Sequence, residues 1–325
     1  MTRRERYAPR FGGGVLIAVL ALGCKTRSSD EERRAAQDAR AVAPSPIVAS
    51  SPPPHVPANM VAATERGCRV MRHTGTASLR RSPEGSPAPL ADGELLPPRA
   101  TVELAPGAEL TIRSTVSTRE FGVSGPASFE ACAGGEEAIR LALGKVTGFP
   151  GMGVRPGAEV WVATPLGVVR FNDSKIDIEV RVGSLTVASA SGRASFMPLL
   201  GVRLDPASSD AGVLDEVFVL AGSKLVADRL PTPIPKLLAD LVGMCATQAA
   251  LAEDAGKKVA SLARPDGGNF GDLAFAHVRA RQRARAACEG ARAALSLKPG
   301  ALDSALVAQL GEAEETWKRP YPISN

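Results

Sequence analysis

Few residues of this chain are equipped for chemistry, and they are scattered. The three histidines, His55, His73 and His277, are too far apart in sequence to suggest one site. A metal centre needs several His, Cys or carboxylate ligands at close spacing, and no such spacing occurs. Gly122-Val123-Ser124-Gly125-Pro126 misses the last glycine of a nucleophile elbow. Gly144-Lys145-Val146-Thr147 has the tail of a phosphate loop without its upstream glycine, and reads as a turn between strands. No catalytic residue, metal ligand or cofactor is assigned.

Two charged groups stand out as binding candidates. Asp173, Asp177 and Glu179 form an acidic edge in a stretch of alternating polarity. Asp177 and Glu179 are two apart, so they share one face of a strand, where paired carboxylates bind cations or move protons. Lys175 and Arg181 flank them, as on a solvated strand face. Arg279, Arg281, Arg283, Arg285 and Arg292 decorate a helical stretch. Arg279 and Arg283 are its candidates for meeting anionic headgroups or an acidic partner; a run of this kind is also what the solvated side of a helix looks like.

The five cysteines are Cys24, Cys68, Cys132, Cys245 and Cys288. An odd number in an exported protein needs an explanation. Residues 1–10 are basic, 11–23 (FGGGVLIAVLALG) are apolar, and Cys24 follows at once. That is a secretory signal of the bacterial lipoprotein type, with Cys24 as lipid attachment point. The apolar run is too short to span a bilayer, which takes about 20 residues. Ala21 stands where the usual pattern has Leu. An ordinary cleaved signal with a chance cysteine, or an uncleaved anchor, is the alternative. Lys25 after the cysteine favours outer-membrane sorting, facing the periplasm. Arg3, Arg4, Arg6 and Arg10 against Glu5 carry much of the net +5, and cleavage leaves +2. The basic balance is therefore largely a targeting signal, and nucleic-acid binding loses its support.

The elements follow in order. Residues 24–62 are rich in charge, then in Pro, Ser and Ala, with too few large apolar groups for a core. As a flexible tether, ~38 residues span roughly 35 Å. Residues 63–230 show short alternating runs punctuated by Gly and Pro, such as KIDIEVRVGSLTVASASGRASF. This is an all-β pattern compatible with a sandwich, a barrel or a β-solenoid-like roll. Pro231, Pro233 and Pro235 mark a change of character. Residues 236–264 and about 272–298 have helical periodicity around a break at Pro265-Asp266-Gly267-Gly268, and a short third helix spans 301–317. The reading is multi-domain: an all-β module at 63–230, then an α-helical hairpin with a short third helix at 231–325.

Five pieces of the β region occur in a familiar order: Gly75 to Leu79, Leu90 to Ile112, Leu141 to Val146, Thr164 to Gly167, and Gly183 to Val187. Together they resemble a FecR-like domain across residues 75–196. The resemblance implies a β-rich envelope module, often with a solenoid-like roll, found in sensors and transmembrane regulators. Those regulators carry a cytoplasmic sigma-factor-binding segment followed by a transmembrane helix. Neither pattern is read here, so sigma-factor control does not carry over.

Four cysteines remain once Cys24 is lipidated, and they allow three pairings. Cys245 precedes Pro265 by 20 residues and Cys288 follows Gly268 by 20. At ~1.5 Å per residue both lie about 30 Å from the turn of a helical hairpin. The Ala-rich face around Cys288 lets the helices approach closely enough for a bond. Cys245–Cys288 is expected on that register, leaving Cys68–Cys132 to the β region; four buried thiols is the alternative. The resulting expectation is a non-catalytic envelope lipoprotein with a membrane anchor, whose β module binds an envelope protein or polymer. The other reading is an accessory sensor that relays an envelope signal to a membrane regulator.

Overall fold

The computed structural model describes residues 67–320, apart from 83–84, 99, 116, 133–137, 150–158, 206–211, 262–268 and 297–303. The signal segment, Cys24 and the tether lie outside the described residues. Ala58–Asn325 forms one compact unit.

The first strands are β1 (Cys68–Thr74), β2 (Ala77–Arg80), β3 (Ala88–Pro89), β4 (Leu95–Leu96), β5 (Thr101–Leu104), β6 (Glu109–Ser114), β7 (Glu120–Ala131) and β8 (Ala138–Gly148). Then come β9 (Val160–Ala163), β10 (Gly167–Phe171), β11 (Lys175–Arg181), β12 (Ser184–Ser191), β13 (Arg193–Pro198), β14 (Val202–Asp205), β15 (Val217–Leu220) and β16 (Lys224–Arg229). They form one branched, hydrogen-bonded sheet. Every pairing between described strands is antiparallel except β8 with β9. The sheet is thus a set of hairpins rolled around a core rather than parallel coils stacked in register.

Two long strands carry the roll. β7 pairs with β6 through its first half and with β5 through its second. β8 gives its first residues to β9 and its last to β11. The change of partner falls at a register shift between Ser124 and Ser128. Opposite it, Gly144 has φ +110°, and a Cβ there would stand 2.4 Å from that of Ala127. Residues 144–147 are therefore the interior of β8, which corrects the expected turn. Lys145 pairs with Ser124 on one side and Glu179 on the other. The glycine lets the strand bend instead of ending.

β9, β10 and β13 are buried on both faces. Val160, Val162, Val169, Phe171 and Phe196 join the core inside the sheet. The alternate residues Trp161, Ala163, Val168 and Met197 join a second cluster with the helices. That double burial explains the unbroken apolar runs VWVA and GVV in the sequence. The turn between β9 and β10 is closed by Thr164. Its hydroxyl donates to Gly167 O at 2.7 Å and accepts from Gly167 N at 3.1 Å. Arg229 at the end of β16 donates to Pro165 O in the same turn.

The helices are α1 (Ile234–Ala260), α2 (Asn269–Leu295) and α3 (Ser304–Lys318). A proline in the first turn of α1 is compatible with a helix start, where its missing N–H is not needed. α1 is long and apolar enough to cross a membrane by length and composition. In the fold it turns Leu237, Leu241, Val242, Cys245 and Ala249 onto the helix–sheet cluster. The small side chains of α2, including Ala286, Ala287, Ala291 and Ala294, allow close approach. Gly290 is closest, since a Cβ there would meet Leu199 Cδ1 at 2.4 Å. Secondary structure changes at the prolines between β16 and α1, while the apolar packing runs continuously across them.

Cys68 is bonded to Cys132, with Cα atoms 5.6 Å apart, and Cys245 to Cys288, with Cα atoms 4.6 Å apart. Both are the pairings expected from sequence.

Gly167 tests the packing. An added Cβ would fall 2.3 Å from the Phe196 ring. Gly167→Ala is expected to lower stability by about 2 kcal/mol, measured by urea unfolding. Gly243→Ala on α1 is the control: nothing stands within 4 Å of its Cβ position. It should be neutral or stabilising by up to about 1 kcal/mol.

Candidate functional site

The seam between sheet and helices is charged at its centre. Arg140 on β8 donates from Nε to Glu289 on α2 at 2.5 Å and from Nη1 to Glu130 on β7 at 2.7 Å. All three side chains are largely shielded from solvent. Burial alone would raise the Glu289 carboxyl. The charge and hydrogen bond of Arg140, helped by Arg285 and Lys318, outweigh it and hold the group below its ordinary value. Burial likewise opposes the Arg140 charge, and Glu289 and Glu130 outweigh it, so the guanidinium is held more firmly protonated than usual. Next to this cluster, two cations lie against the Trp161 ring. The guanidinium carbon of Arg285 is 4.1 Å from its ring centroid and that of Arg170 is 4.9 Å away.

Past Trp161 the same sheet face continues and opens into a cleft of about 350 Å³. Register builds it. Arg170 on β10 stands opposite Ser195 on β13, which stands opposite Phe218 on β15. Residues directly opposite across strands share a face, so these side chains form a row. Arg170 donates to Glu159 at 2.5 Å and to Glu216 at 3.3 Å. Arg193 lies over the Phe218 ring at 4.9 Å from its centroid, and that ring is 51% exposed. Arg283 from α2 reaches Asp215, beside Glu216, at 3.0 Å. The cleft therefore pairs an apolar wall with a fixed array of donors and acceptors, an arrangement suited to holding a polar ligand. A second groove of about 570 Å³ lies on the outer face of β1, β6, β7 and β8, with Met71, Arg72, Glu120 and Phe149 among its lining.

The acidic candidates are engaged by neighbours and do not converge. Asp173 sits in the turn between β10 and β11, 3.6 Å from the fully buried Arg119 guanidinium, which also donates to Asn172 O. Its place in the fold is to balance that charge. Asp177 accepts from Thr147 Oγ1 at 2.6 Å and pairs with Lys145 at 3.3 Å. Glu179 accepts from Arg181 at 2.7 Å. Among the described residues, no group of three His, Cys, Asp or Glu is placed to hold a metal ion. Of the arginines, Arg279 covers the exposed Phe275 ring, and Arg283 reaches Asp215, the neighbour of the cleft residue Glu216.

The row Arg170, Ser195, Phe218 was not singled out from sequence. Its parity was readable: Arg170 and Val168 alternate with core residues, as Ser195 and Met197 do. What sequence lacked was the pairing of β10 with β13 across the intervening hairpin of β11 and β12.

Compared with known proteins, the chain matches no family model and no curated protein.

The buried cluster yields a pH prediction. Because the folded value of Glu289 is depressed, its contribution to stability is present above the ordinary 4.5 and fades as pH falls through the folded value. Glu289→Gln is expected to cost about 3 kcal/mol at neutral pH, by leaving Arg140 under-compensated in the seam. The variant should also lose less stability than the parent between neutral pH and acid. Thermal unfolding across a pH series measures both effects.

Proposed function

We propose that the protein is a non-catalytic, lipid-anchored envelope protein whose folded head, a FecR-like β module welded to a helical cap, binds a partner on the outer membrane's periplasmic side. The observation that carries this reading is the pair of intrachain disulfides, Cys68–Cys132 and Cys245–Cys288, in a chain that opens with a basic, then apolar, segment ending at Cys24. Disulfides persist in oxidising compartments, and the odd fifth cysteine is the one that lipidation would consume. The pieces that resemble a FecR-like domain fall on strands and their turns: Thr164 to Gly167 closes the β9–β10 hairpin, and Gly183 to Val187 opens β12. Binding is favoured over catalysis because both carboxylates of the cleft are occupied by Arg170, and a carboxylate held by a guanidinium is a poor base. The chain would then present its head on the tether, as a scaffold for an envelope protein or polymer.

Cys24→Ser tests the anchor. The variant is expected in the soluble fraction and the parent in membranes, read by fractionation and immunoblotting; a membrane-bound variant overturns the lipid reading. Crosslinking of the parent on intact cells, followed by mass spectrometry, tests the role. An envelope polymer or structural protein is expected, whereas recovery of a membrane signalling regulator would replace scaffolding by sensing.

A further inference from the structure

The cleft beside Trp161 holds more hydrogen-bond donors than it satisfies. Ser195 is 5% exposed on the cleft lining, and its hydroxyl bonds to none of the described groups. Arg170 Nε is buried without a partner, although the rest of that guanidinium is gripped by Glu159 and Glu216. Arg193 stacks on Phe218 and, among the described residues, has no carboxylate within ion-pair distance. Arg170 Nε is the buried donor left unpaired, at a cost in free energy, and the Ser195 hydroxyl and the exposed Arg193 guanidinium add open donors on the same lining; together they define what should fill it. The missing partner is an acceptor; Glu159 and Glu216 already meet the charge of Arg170, so it is the Arg193 guanidinium that makes this acceptor an anion.

The neighbours narrow the class. Glu159 and Glu216 stand within the same lining, and they oppose a dianion more than a monoanion. They also offer acceptors to an ammonium or amide N–H close to the anionic group. Phe218 supplies an apolar wall for a short side chain. We propose that this cleft is a binding site for a carboxylate carried next to an amide or amine and a small apolar group, as in an amino acid or the C-terminal residue of a peptide. The carboxylate accepts from Arg193 and Ser195; the adjoining N–H turns to Glu216 or Glu159; the side chain lies on Phe218. Arg170 is held ready by its two carboxylates and by Trp161, so little ordering remains to be done on binding.

This deepens the binding reading above by naming a ligand class. The two fail separately: the Cys24→Ser outcome does not bear on the cleft, and a failed titration leaves the anchor standing.

The test is calorimetric titration of the full chain in detergent with four probes: acetyl-Ala-Ala with a free carboxylate, its C-terminal amide, free alanine, and inorganic phosphate. Saturable binding of a carboxylate probe is expected, with at least tenfold weaker binding of the amide and of phosphate. Acetyl-Ala-Ala binding marks a chain end as the source, and free alanine binding alone marks a free amino acid. Arg193→Ala is expected to weaken binding at least tenfold, with Arg193→Lys restoring part of it. Arg193 is exposed, so its substitution should leave thermal unfolding unchanged. Ser195→Ala, which removes only a hydroxyl, should weaken binding severalfold and serves as the second variant. The proposal is overturned if neither carboxylate probe binds, if the amide or phosphate binds as tightly, or if both Arg193→Ala and Ser195→Ala leave binding unchanged.

Discussion

The buried pairing of Arg140 with Glu289 is the constraint around which the rest is arranged. An arginine on a central strand cannot be left in an apolar seam uncompensated, and the nearest carboxylates come from β7 and from α2. Satisfying it fixes the height and rotation of α2 above the sheet. Once α2 is fixed, Arg285 falls on Trp161 and Gly290 on Leu199. A buried ion pair of this kind is poor evidence of net stability, because the desolvation of two charges offsets much of their attraction. Its role here is better described as positional. An apolar seam of Ala and Leu would tolerate sliding, whereas the guanidinium accepts one arrangement.

The disulfides act at other points of the same unit. Cys245–Cys288 ties α1 to α2 and so carries the position set at the seam to the second helix. Cys68–Cys132 ties β1 to the end of β7, the strand that changes partners midway. In the loop-closure account each bond would contribute about 4 kcal/mol, and more for longer loops. Their placement is complementary to the apolar cores: one lies in the sheet core, the other in the helix–sheet cluster. A chain with only 4% aromatic residues has few large side chains with which to specify packing, and covalent links supply part of that specification.

Much of the secondary structure was legible because it is local. The period-two pattern from Lys175 to Arg181 and the prolines before Ile234 mark strand and helix by steric rules that need no tertiary information. The helical disulfide was legible for the same reason, since rise per residue places Cys245 and Cys288 at one level. Gly144 was misread because a glycine in a strand and a glycine in a turn look alike in sequence; only the approach of Ala127 separates them. The cleft was not legible at all. It depends on β13 pairing with β10 and β15, and on where α2 stops covering the sheet. Asp177 and Glu179 show the converse: their shared face was correct, but Thr147, Lys145 and Arg181 already engage them.

Coverage by α2 explains why the open part of the sheet is polar in the way it is. Where the helix lies, the outward residues of β9, β10 and β13 are Trp161, Ala163, Val168 and Met197; one step beyond, in the same rows, they become Arg170 and Ser195. A face left simply to water would show flexible charges in no fixed geometry. Arg170 is instead held by two carboxylates and an indole. Rigid side chains with unmet donors cost a protein stability unless something is gained by holding them, and a ligand is the usual gain. Trp161 makes the two regions one structure, because the same ring packs against the arginine of the helical cap and the arginine of the cleft.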